Sequence, residues 1–477
     1  MKNSSRSYDF LWLSIALFPL LIIAILLPIQ PHDFWWYLRL GKDILATGSV
    51  PVVDTYSSIQ AGQPIVYQSW LSAVLLWLVF RINGIPLTIL LVTLLIGLTY
   101  FMLWQLMRQG GVGARLATLL TLMAGLSGSN NWGVRPQLFT YPLFLAVLWI
   151  LLKWQNREQK FLWALVPISF AWANLHGSFI LLFILVGIAF VFGNGDRKKL
   201  FWVTLAALAV SLVNPRGLML WQSVIGTFTS PGIRDLSPEW LPPLNQGWQM
   251  NIFFAWLIML VPLAAFARRR LSTFEWILFL SFSWLALTGI RYVIWDLFIV
   301  SMLTAFLMPE SIVNWFDQTQ EVKLPSLNFG LGFAFLLIPL LLLPGIREGW
   351  WKASLPALDP QTPVAAADWL ISHPELPGPM WNDVVFGSYL IHAVPARPVW
   401  IDTRIQVIFT AEQAEQYLFV QSAQPGWDSY LKKNGVNLLV LAGTQPALVN
   451  AVQNSSQWCK QYHDDVALIF SRCIPLP

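Results

Sequence analysis

Long uncharged apolar segments recur along most of this chain of 477 residues and restrict what it can fold into. The first runs from Phe10 to Ile29, and about 20 apolar residues in a helix suffice to cross the ~30 Å hydrocarbon core of a bilayer. Only 11% of the residues are charged and 56% are hydrophobic, whereas a soluble domain carries about 25% charged residues. The sequence therefore predicts an α-helical, polytopic membrane protein.

About ten to twelve membrane spans are expected from these segments. Besides 10–29, the strong candidates are 86–107, 136–152, 161–175, 177–193, 200–213, 251–267, 276–290, 292–309 and 327–346. The weaker segments 69–80 and 114–128 are short for a complete crossing. Of these, 69–80 is favoured as a re-entrant or interfacial piece, because Arg108 and Arg115 then also lie on the cytoplasmic side.

Short runs of basic residues between the spans set the expected orientation. They are Arg157 and Lys160, Arg197-Lys198-Lys199, and Arg268-Arg269-Arg270. Such clusters mark cytoplasmic loops and are poor evidence for a nucleic-acid partner. The outer side then holds the loops 129–135, 174–177, 214–250 and 289–291 and all residues after 346. The first span is too long for a cleavable signal peptide, which predicts a permanent helix in the plasma (inner) membrane.

Polar side chains collect in these outer loops, next to the ends of apolar spans. They are His32, Asp33, Asp54, Asn130, Asn131, Arg135, Asn174, His176, Asn214, Arg216, Glu239 and Arg291. Polar groups gathered at one face of a helical membrane protein indicate a shared cavity there. Ordinary solvated loop ends are the alternative. Asp296 lies inside a span and needs a partner; Arg291 qualifies only if the helix starts irregularly, since i and i+5 do not face each other.

The motif His32-Asp33-Phe34-Trp35-Trp36 follows the first span after two intervening residues. This spacing puts a carboxylate at the bilayer surface, with aromatic rings to anchor it there. The residues from 34 to 47 have one charged and one apolar helical face, which predicts an amphipathic helix along the membrane surface. The alternative role for Asp33 is simply to cap that helix.

Several short motifs occur in a characteristic order along the chain. They are Asp33-Phe-Trp-Trp-Tyr-Leu, Asp54-Thr-Tyr-Ser, Arg135-Pro-Gln137, Trp172-Ala-Asn174-Leu-His176-Gly177, Asn214-Pro-Arg216-Gly217 and Glu239-Trp240. This pattern resembles that of bacterial GT-C glycosyltransferases such as protein O-mannosyltransferases and lipid A aminoarabinose transferases. The resemblance implies transfer of a sugar from a polyprenyl-phosphate carrier, at the outer membrane face, to a lipid, glycan or protein acceptor. The first outer loop has no Asp-Glu or Asp-x-Asp pair, so a requirement for a divalent metal stays open.

The resemblance puts Asp33 in the position of the catalytic acid. A carboxylate can take the proton of an acceptor hydroxyl, and arginines suit the leaving phosphate because their fork binds two oxygens. The candidates beside Asp33 are His32, Asp54, His176 and Glu239 for catalysis and Arg135, Gln137, Asn174, Arg216 and Arg291 for substrate binding. His176 is equally well explained as a hydrogen-bonded histidine at a helix end, and Asp54 and Glu239 as helix caps.

Two other functions fit the same residues. A lipid or glycan transporter or flippase would bind phosphate with the same arginines, and a non-catalytic scaffold would present the C-terminal region. A transporter predicts charged groups along the full membrane depth, whereas the spans here are nearly free of charge below the outer rim. That distribution favours the enzyme.

The chain changes character after Ile346, so a membrane domain over 1–346, with the outer loop 30–68, is expected to precede an extracytoplasmic α/β domain over 347–477. Strands are predicted at 380–381, 398–401 and 437–441, helices at 411–421, 427–434 and 446–455, and a hairpin from 458–463 and 466–472. Asn382-Asp383 and Asp402-Thr403-Arg404 lie at strand ends and are favoured as turn formers over ligand contacts. Cys459 and Cys473 flank the hairpin and are disulfide candidates, although a two-residue turn pairs 459 with 470.

Overall fold

A computed structural model describes residues 2–229, 238–267, 269–317, 324–350 and 355–474. Arg268 of the predicted cytoplasmic cluster lies outside these ranges. Two compact units make up the fold. The first comprises Met1–Leu27, Ile82–Gly217 and Pro238–Leu355, and the second Pro28–Arg81, Leu218–Ser237 and Pro356–Pro477. The first outer loop thus belongs to the same unit as the C-terminal residues, and the expected domain division between 346 and 347 stays a prediction.

Helices dominate the part of the chain up to residue 350. They are α1 (Lys2–Leu26), α2 (Phe34–Thr47), α3 (Trp70–Gln109), α4 (Ala114–Gly128), α5 (Tyr141–Gln155), α6 (Leu165–Leu175), α7 (Ile180–Phe192), α8 (Arg197–Ser211), α9 (Leu218–Thr229), α10 (Gly247–Ala265), α11 (Thr273–Thr288), α12 (Val293–Leu307), α13 (Glu310–Asp317) and α14 (Pro325–Leu337). Short 3₁₀ turns precede several of them, among them Pro136–Thr140, Gly177–Phe179, Pro238–Trp240 and Ile290–Tyr292.

Six helical segments in the described ranges are long and apolar enough to cross a membrane. They are Arg6–Leu26, Trp70–Gln109, Pro136–Gln155, Gly247–Ala265, Ile290–Leu307 and Pro325–Leu342. Shorter apolar helices accompany them, including Leu162–Leu175, Gly177–Phe192 and Thr273–Thr288. The segments predicted at 69–80 and 86–107 are the two halves of α3, which is broken by non-helical backbone at Asn83 and Gly84. The protein is a multi-pass helical membrane protein, as the sequence predicts.

Helix α12 forms the centre of the first unit, because every residue from Val293 to Leu307 is buried. It packs against α4, α10 and α11. Asp296 is fully buried on this helix, and its Oδ1 accepts a hydrogen bond from Ser283 on α11 at 3.3 Å. Asp296 therefore has the Ser283 hydroxyl as its partner and not Arg291. The Arg291 guanidinium lies over the ring of Trp240.

The second unit contains a four-stranded sheet in the order β1-β2-β4-β3. The strands are β1 (Met380–Asn382), β2 (Leu438–Ala442), β3 (Trp458–His463) and β4 (Ala467–Arg472), and the helices of this region are α15 (Val364–Ser372), α16 (Val384–Ala393), α17 (Ile405–Ile408), α18 (Ala411–Gln421), α19 (Trp427–Lys433) and α20 (Pro446–Gln453). Strand β1 pairs with β2 in parallel, whereas the other pairs are antiparallel. Trp381 and Tyr417 stack in its core at 5.2 Å between ring centroids.

Several expectations for this region are confirmed and one is wrong. The hairpin forms, and Cys459 is disulfide-bonded to Cys473. An irregularity in the register sets Cys459 opposite Ser471 instead of Phe470, which brings it one residue closer to Cys473. The strand predicted at 398–401 does not form. The backbone of Val399 instead pairs with the first outer loop, donating to Tyr56 O at 3.0 Å and accepting from Ser58 N at 2.8 Å. Tertiary partners far away in sequence therefore decide the conformation of that segment.

Helix α2 begins at Phe34 and ends at Thr47, as its amphipathic pattern predicts. Gly48 follows it with φ of 68°, a left-handed conformation that favours glycine. Gly41 on the same helix lies against the backbone of α3, because a Cβ there would approach Ala73 O to 2.1 Å. The start of the first outer loop is thus fixed by close helix packing.

Candidate active site

Asp33 immediately precedes α2, but its side chain makes no capping hydrogen bond to the helix backbone. Its Oδ1 accepts instead from the Thr403 hydroxyl at 2.5 Å and from the Trp36 indole at 3.4 Å. The residue is partly exposed. The capping interpretation therefore does not account for the side chain, which is turned toward a loop of the α/β region. His32 lies beside it, partly exposed, and its carbonyl accepts from Trp35 N at 3.4 Å.

Thr403 is itself held by a second hydroxyl. Its Oγ1 lies 2.6 Å from Oγ of Ser388 on α16, and Ser388 is fully buried. Helix α16 passes very close to the segment that carries Thr403, since a Cβ on Gly387 would approach Ile401 O to 2.2 Å and the Asp402 Cα to 2.7 Å. The absence of a side chain at Gly387 is what lets the two segments meet.

Arg404, the next residue, joins the first outer loop to the α/β region through a fully buried ion-pair cluster. Its Nε and one terminal nitrogen bind the two oxygens of Asp402 at 2.8 and 2.7 Å, and the other nitrogen binds Asp54 at 2.5 Å. The second oxygen of Asp54 accepts from Ser57 N at 3.0 Å. Asp54, one of the predicted catalytic residues, is only 1% exposed and forms a buried ion pair with the Arg404 guanidinium.

Burial and neighbouring charges shift the pKa values of this cluster in opposite directions. Burial alone would lower the pKa of the Arg404 guanidinium, but the carboxylate of Asp402, with Tyr67 and Asp54, raises it well above its usual value. Burial raises the pKa of the Tyr67 hydroxyl, although the positive charge of Arg404 opposes that effect. The Arg404 guanidinium therefore stays positively charged between Asp402 and Asp54, with a neutral tyrosine beside it. A buried pair of this kind is costly to break from one side only.

Asp383 caps α16, on which Ser388 lies. Its Oδ1 accepts from Val385 N at 2.9 Å, and its other oxygen accepts a short hydrogen bond from Gln445. Burial raises the pKa of the Asp383 carboxyl to about 6, even though these hydrogen bonds favour the charged form. The predicted role as a turn former is confirmed for Asp402, whose Oδ1 accepts from Arg404 N at 2.9 Å, whereas Asn382 ends β1 and its side chain bonds to Ile401 O and Trp400 N.

In the first unit, two of the predicted binding residues lie around one 3₁₀ turn, Pro238–Trp240. Arg135 forms an ion pair with Glu239, and both side chains remain partly exposed. Arg291 stacks its guanidinium over the Trp240 ring at 4.2 Å from the centroid. Glu239 is thus the partner of a predicted phosphate ligand. Cation–π stacking holds the plane of the Arg291 guanidinium, and the N–H groups of a guanidinium point outward along the edge of that plane.

His176 caps the short turn Gly177–Phe179 through its Nδ1, which accepts from Ser178 N at 3.1 Å. A backbone amide can only donate, so Nδ1 carries no proton and the neutral ring has its proton on Nε2. The Ser178 hydroxyl, 2.8 Å from Nδ1, donates to the same nitrogen and accepts from the Trp172 indole at 3.0 Å. The histidine is therefore a hydrogen-bonded residue at a helix end whose Nε2–H is a donor.

The side chains of Gln137 and Asn174 and the backbone of Arg216 contribute to local structure. Gln137 donates to the Tyr141 hydroxyl at 3.0 Å, and the amide of Asn174 donates to the carbonyls of Phe170 and Val213. Arg216 N donates to the side chain of Asn214 at 2.8 Å, which shapes the Asn-Pro-Arg-Gly turn. Within the described ranges, no group of three or more His, Cys, Asp or Glu side chains is arranged to hold a metal ion.

Sequence reasoning missed the two hydroxyls that hold Asp33. Thr403 is 370 residues from Asp33 in the chain, so no local pattern links them. The available signal was the polar triplet Asp402-Thr403-Arg404 in an otherwise apolar setting. Its interpretation as a turn former is correct for Asp402 but leaves out what the two following side chains contact.

Comparison with known proteins gives no match to a protein-family model and none to a curated protein by sequence. Solved structures do match. The oligosaccharyltransferase AglB from Archaeoglobus fulgidus, in complex with an inhibitory peptide and a dolichol-phosphate, has a TM-score of 0.58 at 12% identity, covering 90% of this chain and 69% of that one. An Archaeoglobus fulgidus oligosaccharyltransferase in the apo form has a TM-score of 0.59 at 12% identity, covering 98% of this chain and 75% of that one. The chain has the GT-C fold.

A second GT-C structure, the arabinofuranosyltransferase AftD from Mycobacteria, has a TM-score of 0.55 at 13% identity and covers 97% of this chain. This chain spans only 40% of the AftD length. At such low identity the likeness concerns the fold alone. The GT-C resemblance that the short motifs suggested is confirmed at that level, whereas the roles of individual residues remain to be argued from this chain.

Proposed function

We propose that this GT-C protein is a glycosyltransferase that moves a sugar from a polyprenyl-phosphate carrier to an acceptor at the outer face of the plasma membrane. The shared fold supports glycosyl transfer as the reaction class. The dolichol-phosphate bound to AglB supports a lipid-linked phosphate as the carrier class. The acceptor is a lipid, glycan or protein hydroxyl.

The single observation that carries the proposal is the placement of Asp33. Its carboxylate lies between α1, which ends at Leu26, and α2, is held by side chains rather than used as a helix cap, and stays partly exposed. As general base it takes the proton of the acceptor hydroxyl. The acceptor oxygen then bonds to the anomeric carbon, and the bond from that carbon to the carrier phosphate breaks, with the electron pair leaving on the phosphate.

Arginines are proposed to bind the carrier phosphate, with Arg135, Arg216 and Arg291 as the ligands. A guanidinium matches two phosphate oxygens at once. The stacking of Arg291 on Trp240 and the pairing of Arg135 with Glu239 support this, because both contacts orient a planar fork in advance. His176 contributes its Nε2–H as a donor, and Gln137, Asn174 and His32 shape the surroundings.

Asp54 and Glu239 are proposed as supporting residues rather than bases. Asp54 is buried against Arg404, so it cannot meet an acceptor hydroxyl, whereas it can hold the first outer loop in place. Glu239 neutralises Arg135 when no phosphate is bound. A divalent metal remains an addition to be tested, since the described residues offer no preformed cluster of ligands.

The α/β region over 347–477 is proposed to lie outside the cytoplasm. The disulfide between Cys459 and Cys473 supports this location, because disulfides persist in oxidising compartments and are rare in the cytosol. The basic runs Arg197-Lys198-Lys199 and Arg269-Arg270 support the same orientation by the positive-inside rule.

The test uses the full-length protein reconstituted in lipid, with a panel of polyprenyl-phosphoryl hexoses and pentoses labelled in the sugar. Mass spectrometry of envelope glycans from cells with and without the protein supplies the acceptor. We expect acceptor-dependent release of polyprenyl phosphate by the wild-type protein and none by Asp33→Asn. A transporter would move the labelled lipid across the membrane without releasing its phosphate, and a scaffold would do neither. Either of those results contradicts the proposal.

A further inference from the structure

We infer that Thr403, backed by Ser388, is a positioning residue for the Asp33 carboxylate, so that the α/β region completes the site that the first outer loop begins. This inference rests on the proposed function, in which Asp33 is the base. All three residues belong to the second compact unit. They join α2, the loop before α17 and the middle of α16.

The directions of the hydrogen bonds follow from counting protons. The Thr403 hydroxyl has one proton, which it donates to Asp33 Oδ1 at 2.5 Å. The contact of 2.6 Å between Thr403 and Ser388 must then be donated by Ser388. Both hydroxyl protons point toward the carboxylate. Such an aligned pair favours a charged acceptor at its end, because each donor polarises the next.

The two hydroxyls lie in a part of the unit that cannot readily shift. Ser388 is fully buried, and its neighbour Gly387 lies against the backbone of Ile401 and Asp402. On the other side of Thr403, Arg404 is fixed by buried ion pairs to Asp402 and Asp54. Thr403 is therefore held from both directions along the chain, and its hydroxyl presents a fixed donor to Asp33.

A fixed donor matters because general-base catalysis depends on geometry first. The base must come within about 2.6–3.2 Å of the atom whose proton it takes, and misplacement by about 1 Å can cost about 100-fold in rate. Asp33 stands at the start of α2 and makes no capping bond to the helix backbone, and the Trp36 indole on α2 reaches its Oδ1 only at 3.4 Å, against 2.5 Å for the Thr403 hydroxyl. The hydrogen bond from Thr403 selects one rotamer.

The test compares Thr403→Val with Thr403→Ser in the reconstituted full-length protein, using the labelled polyprenyl-phosphoryl sugar that supports wild-type turnover. Valine keeps the shape and removes the hydroxyl, whereas serine keeps the hydroxyl and removes a methyl group. We expect Thr403→Val to lower kcat about 10- to 100-fold, the scale of a hydrogen bond to a charged group. KM for the carrier should change less than about threefold, and Thr403→Ser should recover most of kcat.

Thr362→Val is the matched control. Thr362 is also buried in the second unit, at 5% exposure, and its hydroxyl has no hydrogen-bond partner in the described part of the chain. Its replacement should leave kcat and the thermal unfolding midpoint unchanged. Ser388→Ala is the second variant, in which Thr403 loses its own donor and kcat should fall by a smaller factor of about 3 to 10.

The outcomes separate this inference from the proposed function. If Asp33→Asn is inactive while Thr403→Val and Ser388→Ala both keep wild-type kcat, the positioning role is overturned and the function stands. If Thr403→Ser loses as much kcat as Thr403→Val, the threonine acts through packing, which also overturns it. If Asp33→Asn itself turns over normally, Asp33 is not the base, and the positioning role of Thr403 is overturned together with that assignment. If Thr403→Val does not accumulate, Ser388→Ala decides alone.

Discussion

At the scale of single residues, Asp33 illustrates how one position can have two roles that the sequence cannot distinguish. An aspartate before a helix is ordinarily a cap, and α2 does begin at the next residue. The side chain nevertheless contacts Thr403 and Trp36 rather than the helix backbone. A helix cap and a general base at this position can therefore be distinguished by experiment, because only the loss of a base lowers the rate of transfer strongly.

We expect Asp33→Asn to accumulate normally in the membrane and to lose about 100- to 10,000-fold in rate, the usual contribution of a general base. Asparagine caps helices about as well as aspartate, so the thermal unfolding midpoint should barely move. Asp196→Asn is the control, because Asp196 does cap α8 by accepting from Lys199 N at 3.1 Å. Wild-type turnover by Asp33→Asn would mean that the active carboxylate lies elsewhere.

The three candidate phosphate ligands can be tested in the same way. Replacing Arg135, Arg216 or Arg291 by lysine keeps the charge but removes the two-pronged fork. Each change should weaken carrier binding by about 1–3 kcal/mol, seen as a higher KM for the labelled carrier. Arg197→Lys on α8, whose guanidinium binds backbone carbonyls, is the control and should leave KM unchanged. Full activity in all three variants would identify these arginines as anchors at helix ends.

Asp383 predicts a pH dependence of stability. Burial raises the pKa of its carboxyl to about 6 from the ordinary value of 3.8, so between these pH values the folded chain holds a proton that the unfolded chain has lost. The contribution of Asp383 to the free energy of unfolding is then greatest below about pH 4 and falls by roughly 3 kcal/mol as the pH rises to about 6. Above that it stays constant.

The measurement is the difference in thermal unfolding midpoint between the wild-type protein and Asp383→Asn over pH 4 to 7. Asparagine does not titrate and retains an oxygen for Val385 N, so the variant should gain relative stability as the pH rises through this window. A difference that is independent of pH would show that the Asp383 carboxyl titrates alike in the folded and unfolded chains.

At the scale of elements, the periodicity of the sequence correctly predicted those helices and strands whose conformation depends on nearby residues. Helix α2 and the hairpin of β3 and β4 form where their patterns place them, because their residues contact near neighbours. Helix α16 was not predicted, and the segment 398–401 is not a strand. Its backbone partner is the loop at Tyr56 and Ser58, more than 300 residues away. The pairing of Asp33 with Thr403 escaped prediction for the same reason.

Close packing between α16 and the following loop gives a prediction for this element. In Gly387→Ala, the added Cβ would lie 2.2 Å from Ile401 O, so the two segments must separate. Overpacking of this kind costs about 1–3 kcal/mol, and the displaced Thr403 should lower kcat as well. Gly443→Ala is the control, because the nearest atom to its Cβ would be 3.7 Å away. An unchanged unfolding midpoint and kcat in Gly387→Ala would contradict the close contact.

At the scale of the whole molecule, the distribution of charge and the disulfide bear on the same question of sidedness. Composition and apolar spans were enough to predict a polytopic helical protein, and short motifs in order were enough to suggest the GT-C fold, because lipid exposure constrains sequence strongly. Orientation is a separate matter. It depends on which loops the cell translocates, and the basic runs and the bond between Cys459 and Cys473 both favour an outer location for the α/β region.

The last prediction therefore concerns topology. A reporter that is active only in the cytoplasm, fused after Pro477, should stay silent, because the α/β region is expected on the outer side. The same reporter inserted between Gly195 and Asp196, in the loop between α7 and α8, should be active, because the chain that follows it retains Arg197-Lys198-Lys199 and basic loops remain inside. A non-reducing gel with a thiol-alkylating reagent should find no free thiol at Cys459 or Cys473 until the protein is reduced. A strong signal from the Pro477 fusion would put Asp33 and the whole second unit on the wrong side for an outer-face transferase.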